Sequence, residues 1–189
     1  MEKQLLPCSI GGSIAAIASK SQAHRLLICA ALAEGQTEIR CAETSRDIEA
    51  TAECLSALGA KITYKNGIYT VIPIEKVEKN AILNCGESGS TLRFLLPVAA
   101  ALGADATFVL HGRLPQRPLS PLWAELERHG CSLSRPTENT LRCQGQLKGG
   151  LFTLAGNVSS QFISGLLFAL PLLNEDSEIR LTTELESAS

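Results

Sequence analysis

The sequence predicts an α/β (α+β) domain built from repeated βαβαββ units, and three observations carry that reading. Segments beginning at Ser19, Ser88 and Ser159 each place a serine seven residues before a Leu-Leu pair, at Leu26-Leu27, Leu95-Leu96 and Leu166-Leu167, so the copies are spaced by 69 and 71 residues. Each start leads into an Ala/Leu-rich run, a turn and a short β-prone stretch, which reads as helix then strand. Asn66-Gly67 sits between two β-prone stretches, and Asn-Gly is the strongest short-range hairpin signal. A fixed period of about seventy residues marks a repeated supersecondary unit.

In the first copy, Ser19 opens a helix, residues 37–40 read as a strand, and residues 47–58 form a second helix by apolar spacing, stopped by Gly59. Residues 61–72 complete it as a hairpin. The second copy repeats the order: a helix from Ser88, a strand over 106–110, a helix over 122–129 stopped by Gly130, and a strand pair at 131–134 and 140–143. The third offers a helix from Ser159 and a strand over 177–182. One domain spanning 1–189 is expected, with units at about 19–87, 88–157 and 158–189. By the same spacing, the third copy's second helix and hairpin fall near positions 190 to 215, so that unit is expected to be incomplete and the sequence to be part of a longer protein.

Composition narrows the function. The 189 residues are 45% hydrophobic and 19% charged, and a chain of this size buries roughly 70% of its unfolded surface without needing metals or disulfides. Lys+Arg 17 against Asp+Glu 19 gives a net charge of -2, which argues against a nucleic-acid or membrane-surface partner and makes any anion site local. The seven cysteines are odd in number and form no CxxC pair. They read as reduced, buried thiols of a cytoplasmic protein. The first residues lack a basic stretch followed by an apolar one, so no secretory signal is expected. The longest apolar stretches, 26–33 and 94–104, fall short of the roughly 20 residues a bilayer crossing needs.

Serines at three helix starts are either plain N-caps or the mark of three symmetry-related helix starts that aim their backbone N–H groups toward a common phosphate or carboxylate. The cations favour the second reading: Lys20 and Arg25 lie at the first start, Arg93 in the second, and Arg113 and Arg117 follow the second unit's first strand. Residues 86–91, Gly/Ser-rich before a helix, resemble a phosphate-cradling loop but lack the Lys-Ser/Thr ending of a P-loop. Ser159, Ser160 and Gln161 offer two hydroxyls and an amide to a polyhydroxy ligand, or simple helix capping. Asp47 reads as an N-cap, with orientation of a cationic side chain as the other option. His24, His111 and His129 are isolated, so no metal site is expected. No GxSxG elbow is present, which disfavours a serine hydrolase.

Several motifs together carry a family likeness. Residues 12–14, Ser19-Lys20-Ser21 followed by Arg25, Ser45-Arg46-Asp47, Gly89-Ser90-Thr91-Leu92-Arg93, Gln116-Arg117-Pro118 and Ser159-Ser160-Gln161 resemble, in order, the EPSP synthase (3-phosphoshikimate 1-carboxyvinyltransferase) family. Ser-Lys-Ser with the later Ser-Ser-Gln favours it over the sister transferase acting on UDP-N-acetylglucosamine, which resembles Lys-Asn at the first motif. Where many members read Asn-Ala-Gly-Thr-Ala-Met-Arg, this chain has Glu87-Ser88-Gly89-Ser90-Thr91-Leu92-Arg93, with Gly89 and Arg93 aligned.

The resemblance implies an enolpyruvyl-transferase-like domain with three βαβαββ units about a pseudo-threefold, one of two domains of a cytoplasmic enzyme of the shikimate pathway. It implies transfer of the enolpyruvyl group from phosphoenolpyruvate to the 5-hydroxyl of shikimate 3-phosphate with release of phosphate, and no cofactor. By matching motif, Lys20, Ser21, Arg25, Ser159, Ser160, Gln161 and Ser187 would bind shikimate 3-phosphate. Lys20, Gly89, Arg117 and Gln161 would bind phosphoenolpyruvate, with Lys20 positioning it. The acid/base residues are expected beyond Ser189, in a C-terminal domain, so the chain is expected to be inactive alone. Two other functions stay open at the level of sequence: the UDP-N-acetylglucosamine transferase and a non-catalytic phospho-ligand binding module.

Overall fold

The computed structural model describes residues 3, 4, 6, 7, 9, 11–14 and 16–185; Ser187 and Cys8 lie outside them. Helix α1, Lys20–Ala31, begins where the Ser19 hydroxyl accepts from the Gln22 N–H at 3.4 Å. Strand β1 (Thr37–Arg40) leads to α2 (Arg46–Ala57), and the hairpin β2 (Lys61–Lys65) and β3 (Ile68–Ile72) follows. Asn66 and Gly67 both have positive φ (52° and 74°), the backbone that a two-residue hairpin loop demands. Next come β4 (Ile82–Gly86), α3 (Gly89–Ala101) and β5 (Thr107–Leu110). A 3₁₀ turn at Leu114–Gln116, α4 (Leu122–Arg128), β6 (Cys131–Ser134) and β7 (Thr140–Gly145) complete the middle of the chain. The last stretch holds β8 (Gly150–Leu154), α5 (Ser160–Ala169), a 3₁₀ turn at Leu170–Leu172 and β9 (Ser177–Leu181).

These strands form three sheets, ordered β1-β3-β2, β4-β5-β7-β6 and β8-β9. The first is antiparallel throughout, whereas β4 with β5 and β8 with β9 are parallel, each pair bridged by a helix. Between the sheets runs α3, eleven of whose thirteen residues are buried, which is why its sequence is apolar all round rather than on one stripe. Phe94, Phe108, Phe152 and Phe162 are the largest fully buried side chains of the core.

Helices α3 and α5 approach closely because of two residues. Pro97 has no N–H to give the carbonyl of Arg93 one turn earlier, and Gly165 of α5 lies against that same carbonyl, where a Cβ would also meet Pro97 Cγ at 2.9 Å. Helix α4 is tied to the third sheet by Glu125, only 3% exposed, whose carboxylate accepts from Thr153 N–H at 2.8 Å and pairs with Arg128 of the same helix at 3.1 Å.

Two expectations are corrected. Ser45, not Asp47, caps α2, accepting from the Ile48 N–H at 3.4 Å; both residue types cap well, and the extended backbone falls at Ser45. The six described cysteines are free thiols and five are buried, but Cys29 is exposed. Cys29 and Leu26 stand three residues apart on a face of α1 that nothing among the described residues covers, although Leu95 and Leu166, the repeat counterparts of Leu26, are buried. No helix among the described residues is long and apolar enough to cross a membrane.

Candidate functional site

The site is built at the first turns of α1, α3 and α5. Lys20, the first residue of α1, reaches Asp47 Oδ2 in the first turn of α2 at 2.7 Å, so the carboxylate holds the ammonium rather than capping its own helix. Arg25, one turn further, donates from Nη1 to the Ser21 carbonyl at 3.0 Å and also meets the Ser21 hydroxyl. Its guanidinium lies 5.2 Å from the Phe94 ring centroid, and Nη2 reaches Ser164 Oγ of α5 at 3.5 Å. Arg25 is thereby held among three helices.

A second group gathers at α3. Arg93 donates from Nη1 to Gln161 Oε1 at 2.9 Å, and Gln161 Nε2 donates to Ser90 Oγ at 2.8 Å. The Arg93 guanidinium sits 5.4 Å from the Phe162 ring centroid. Arg117 extends over Gly89, where a Cβ would fall 2.7 Å from Arg117 Nη1 and 3.8 Å from Arg93 Nη1. Burial, and then the neighbouring Arg117 charge, pull the Arg93 pKa below its ordinary value.

None of Arg25, Arg93 and Arg117 has a carboxylate within salt-bridge reach among the described residues. Arg93 and Arg117 thus set like charges side by side at the start of α3, whose backbone N–H groups are also positive; Arg93 and Arg25 are half-buried and Arg117 is exposed. An arrangement of that kind is neutralised by an anion, and fork-shaped guanidiniums suit phosphate or carboxylate. Gln161 and Ser164 lie one turn apart on α5 and receive, respectively, Arg93 and Arg25, so the two groups share one support.

The structure brings together Lys20, Ser21 and Arg25 in one group and Gly89, Arg117 and Gln161 in the other. Ser159 and Ser160 open α5 beside Gln161, and the Ser159 side chain makes no capping bond, unlike Ser19 and Ser88. Ser187 is outside the described residues. Sequence reasoning left out Ser90, Arg93 as an organiser of Gln161, and Ser164. The repeat alignment held a signal for the last two, since Arg93 and Ser164 occupy equivalent positions 71 residues apart.

Comparison with known proteins follows the same line. The family model for EPSP synthase (3-phosphoshikimate 1-carboxyvinyltransferase) matches residues 7–188. The 3-phosphoshikimate 1-carboxyvinyltransferase of Clostridium beijerinckii is 42% identical over 193 residues, covering 97% of this chain and 44% of its own length. That of Clostridium perfringens is 44% identical over 192 residues, with 99% and 45% covered. The solved structure of EPSP synthase from Acinetobacter baumannii shares the fold at a TM-score of 0.77 and 24% identity, over 93% of this chain and 41% of that one. The chain spans a little under half the length of the curated relatives it matches.

Proposed function

The chain belongs to the EPSP synthase family, and we propose that it supplies the half of such an enzyme that binds shikimate 3-phosphate and one side of phosphoenolpyruvate. Arg25 and Arg93 on linked helices, with Arg117 over the start of α3, and none of the three with a carboxylate in salt-bridge reach among the described residues, are the observation that carries this reading. In it, Lys20, Ser21 and Arg25 take the phosphate of shikimate 3-phosphate, with Ser159, Ser160, Gln161 and Ser187 completing that ligand's site. Lys20, Gly89, Arg117 and Gln161 form this chain's side of the phosphoenolpyruvate site, and Arg93 holds Gln161 in place.

In the proposed reaction, the 5-hydroxyl of shikimate 3-phosphate gives up its proton to a base as its oxygen bonds to C2 of phosphoenolpyruvate, and C3 gains a proton to become a methyl group. The tetrahedral intermediate then expels phosphate as its C–O bond to C2 breaks, and one of the three methyl hydrogens leaves C3 as a proton as the enol ether forms. The residues of this chain neutralise and orient two anions that would otherwise repel, which raises the effective concentration of the reacting atoms. Each charge-assisted hydrogen bond to phosphate contributes on the order of 1.5–3 kcal/mol. We assign the proton-transferring groups to the length of the relatives that this chain does not span.

Thermal unfolding with each acceptor tests the assignment, because a ligand held only by the folded state raises Tm. Shikimate 3-phosphate is expected to raise it and UDP-N-acetylglucosamine to leave it unchanged; the reverse pattern would replace the proposed acceptor.

A further inference from the structure

Two rungs join α1 to α2. The outer one is Lys20 to Asp47, and one turn deeper in both helices His24 Nδ1 meets Thr51 Oγ1 at 2.7 Å. His24 and Thr51 are both fully buried. The Thr51 hydroxyl also meets Thr91 Oγ1 of α3 at 2.7 Å, and Thr91 donates to the Ser88 hydroxyl, the cap of α3, at 2.7 Å. A helical threonine ordinarily turns its hydroxyl back to its own preceding turn. Here Oγ1 bonds across to two other helices instead.

The helices it joins carry the whole first half of the site: Lys20 and Arg25 on α1, Asp47 on α2, and Gly89 and Arg93 on α3. In an apolar interior, a fully buried hydroxyl fixes rotation and height of its neighbours more sharply than methyl packing does, because hydrogen bonds are directional and costly to leave unmade. We propose that Thr51 is a positioning residue of the anion site, whose hydroxyl sets α1 against α3 and so places Lys20 and Arg25 relative to Gly89 and Arg93. It touches no ligand and acts through the outer rung and the α3 cap.

The proposal rests on the anion-site reading above, and the experiment separates the two. Shikimate 3-phosphate and, separately, inorganic phosphate are titrated calorimetrically into the 189-residue chain. The proteins compared are wild type, Thr51→Val, Thr51→Ser, Lys20→Ala and the double variant Lys20→Ala/Thr51→Val, each checked for folding by circular dichroism. Valine keeps the shape and removes both bonds. Thr51→Val is expected to weaken shikimate 3-phosphate binding about tenfold, and Thr51→Ser to restore it to within about threefold. In the Lys20→Ala background, Thr51→Val is expected to add less than about twofold, the non-additivity of residues acting through one another. Should Thr51→Val not fold, Thr91→Val, which removes the bond to Thr51 together with those to the Ser88 hydroxyl and the Asp47 carbonyl, is read by the same criteria. Wild-type affinity in the folded variant, or fully multiplicative effects, overturns the proposal alone. A wild-type chain that binds neither ligand overturns the anion site and the Thr51 assignment with it.

Discussion

Arg93 gives Nη1 to the Oε1 of Gln161 at 2.9 Å, and this bond between α3 and α5 decides which way the amide faces. A guanidinium can only donate, so the oxygen must turn toward Arg93 and the NH2 toward Ser90 Oγ, 2.8 Å away. The site is therefore organised by donor and acceptor logic before any ligand arrives.

Replacing that amide by a carboxylate should separate stability from binding. Gln161→Glu places a negative charge against Arg93, which has no carboxylate partner among the described residues, and is expected to raise stability by up to about 1 kcal/mol while weakening anion affinity at least about tenfold. Thermal unfolding and phosphate titration read the two effects, and parallel changes in both would contradict the assignment.

Gly89→Ala should also leave the fold intact. The added Cβ meets the flexible end of Arg117 at 2.7 Å rather than backbone, so Arg117 moves aside. Tm is expected to hold or to rise slightly, since alanine favours a helix over glycine by up to about 1 kcal/mol. Anion affinity is expected to fall several-fold, and a variant that binds as wild type does would remove Arg117 from the site.

Gly165→Ala should act in the opposite way. Its Cβ would press on the backbone carbonyl of Arg93 and on Pro97, and neither can yield without moving α3. A loss of about 1–3 kcal/mol is expected in urea unfolding. An unchanged midpoint would show that the two helices are less closely set than the structure has them.

Acid should expose His24. Burial, opposed by Asp47 and reinforced by Lys20 and Arg25, lowers its pKa from 6.5 to about 4. A base with a depressed folded pKa takes up its proton more readily when unfolded. The stability it contributes is thus complete above pH 6.5 and lost progressively toward pH 4. The loss is roughly 3 kcal/mol over that window. His24→Asn, which removes the titration, is expected to lose correspondingly less between pH 7 and pH 4.5, and parallel losses in both proteins would contradict this.

The repeats were legible because periodicity, Ser starts and Asn66-Gly67 are local signals, and each became a helix start or the hairpin that it implied. The partners of the site residues were not. Arg93 and Gln161 are 68 residues apart, and Thr51 and Thr91 40, so their meeting depends on how whole helices are rotated against each other. Ser45 and Asp47 illustrate the same limit: either could cap α2, and only the position of Lys20 on another helix decides that the aspartate is used elsewhere. Cys29 looked buried because it sits in an apolar run, yet the face it shares with Leu26 is bare in this copy of the repeat alone.

The most direct test of the account is calorimetric titration of this chain with shikimate 3-phosphate, beside Lys20→Ala and Arg25→Ala, at low and moderate salt. The account predicts saturable binding that weakens with salt and falls at least about tenfold in each variant. Binding unchanged by both substitutions, or a folded chain that binds nothing, would contradict it.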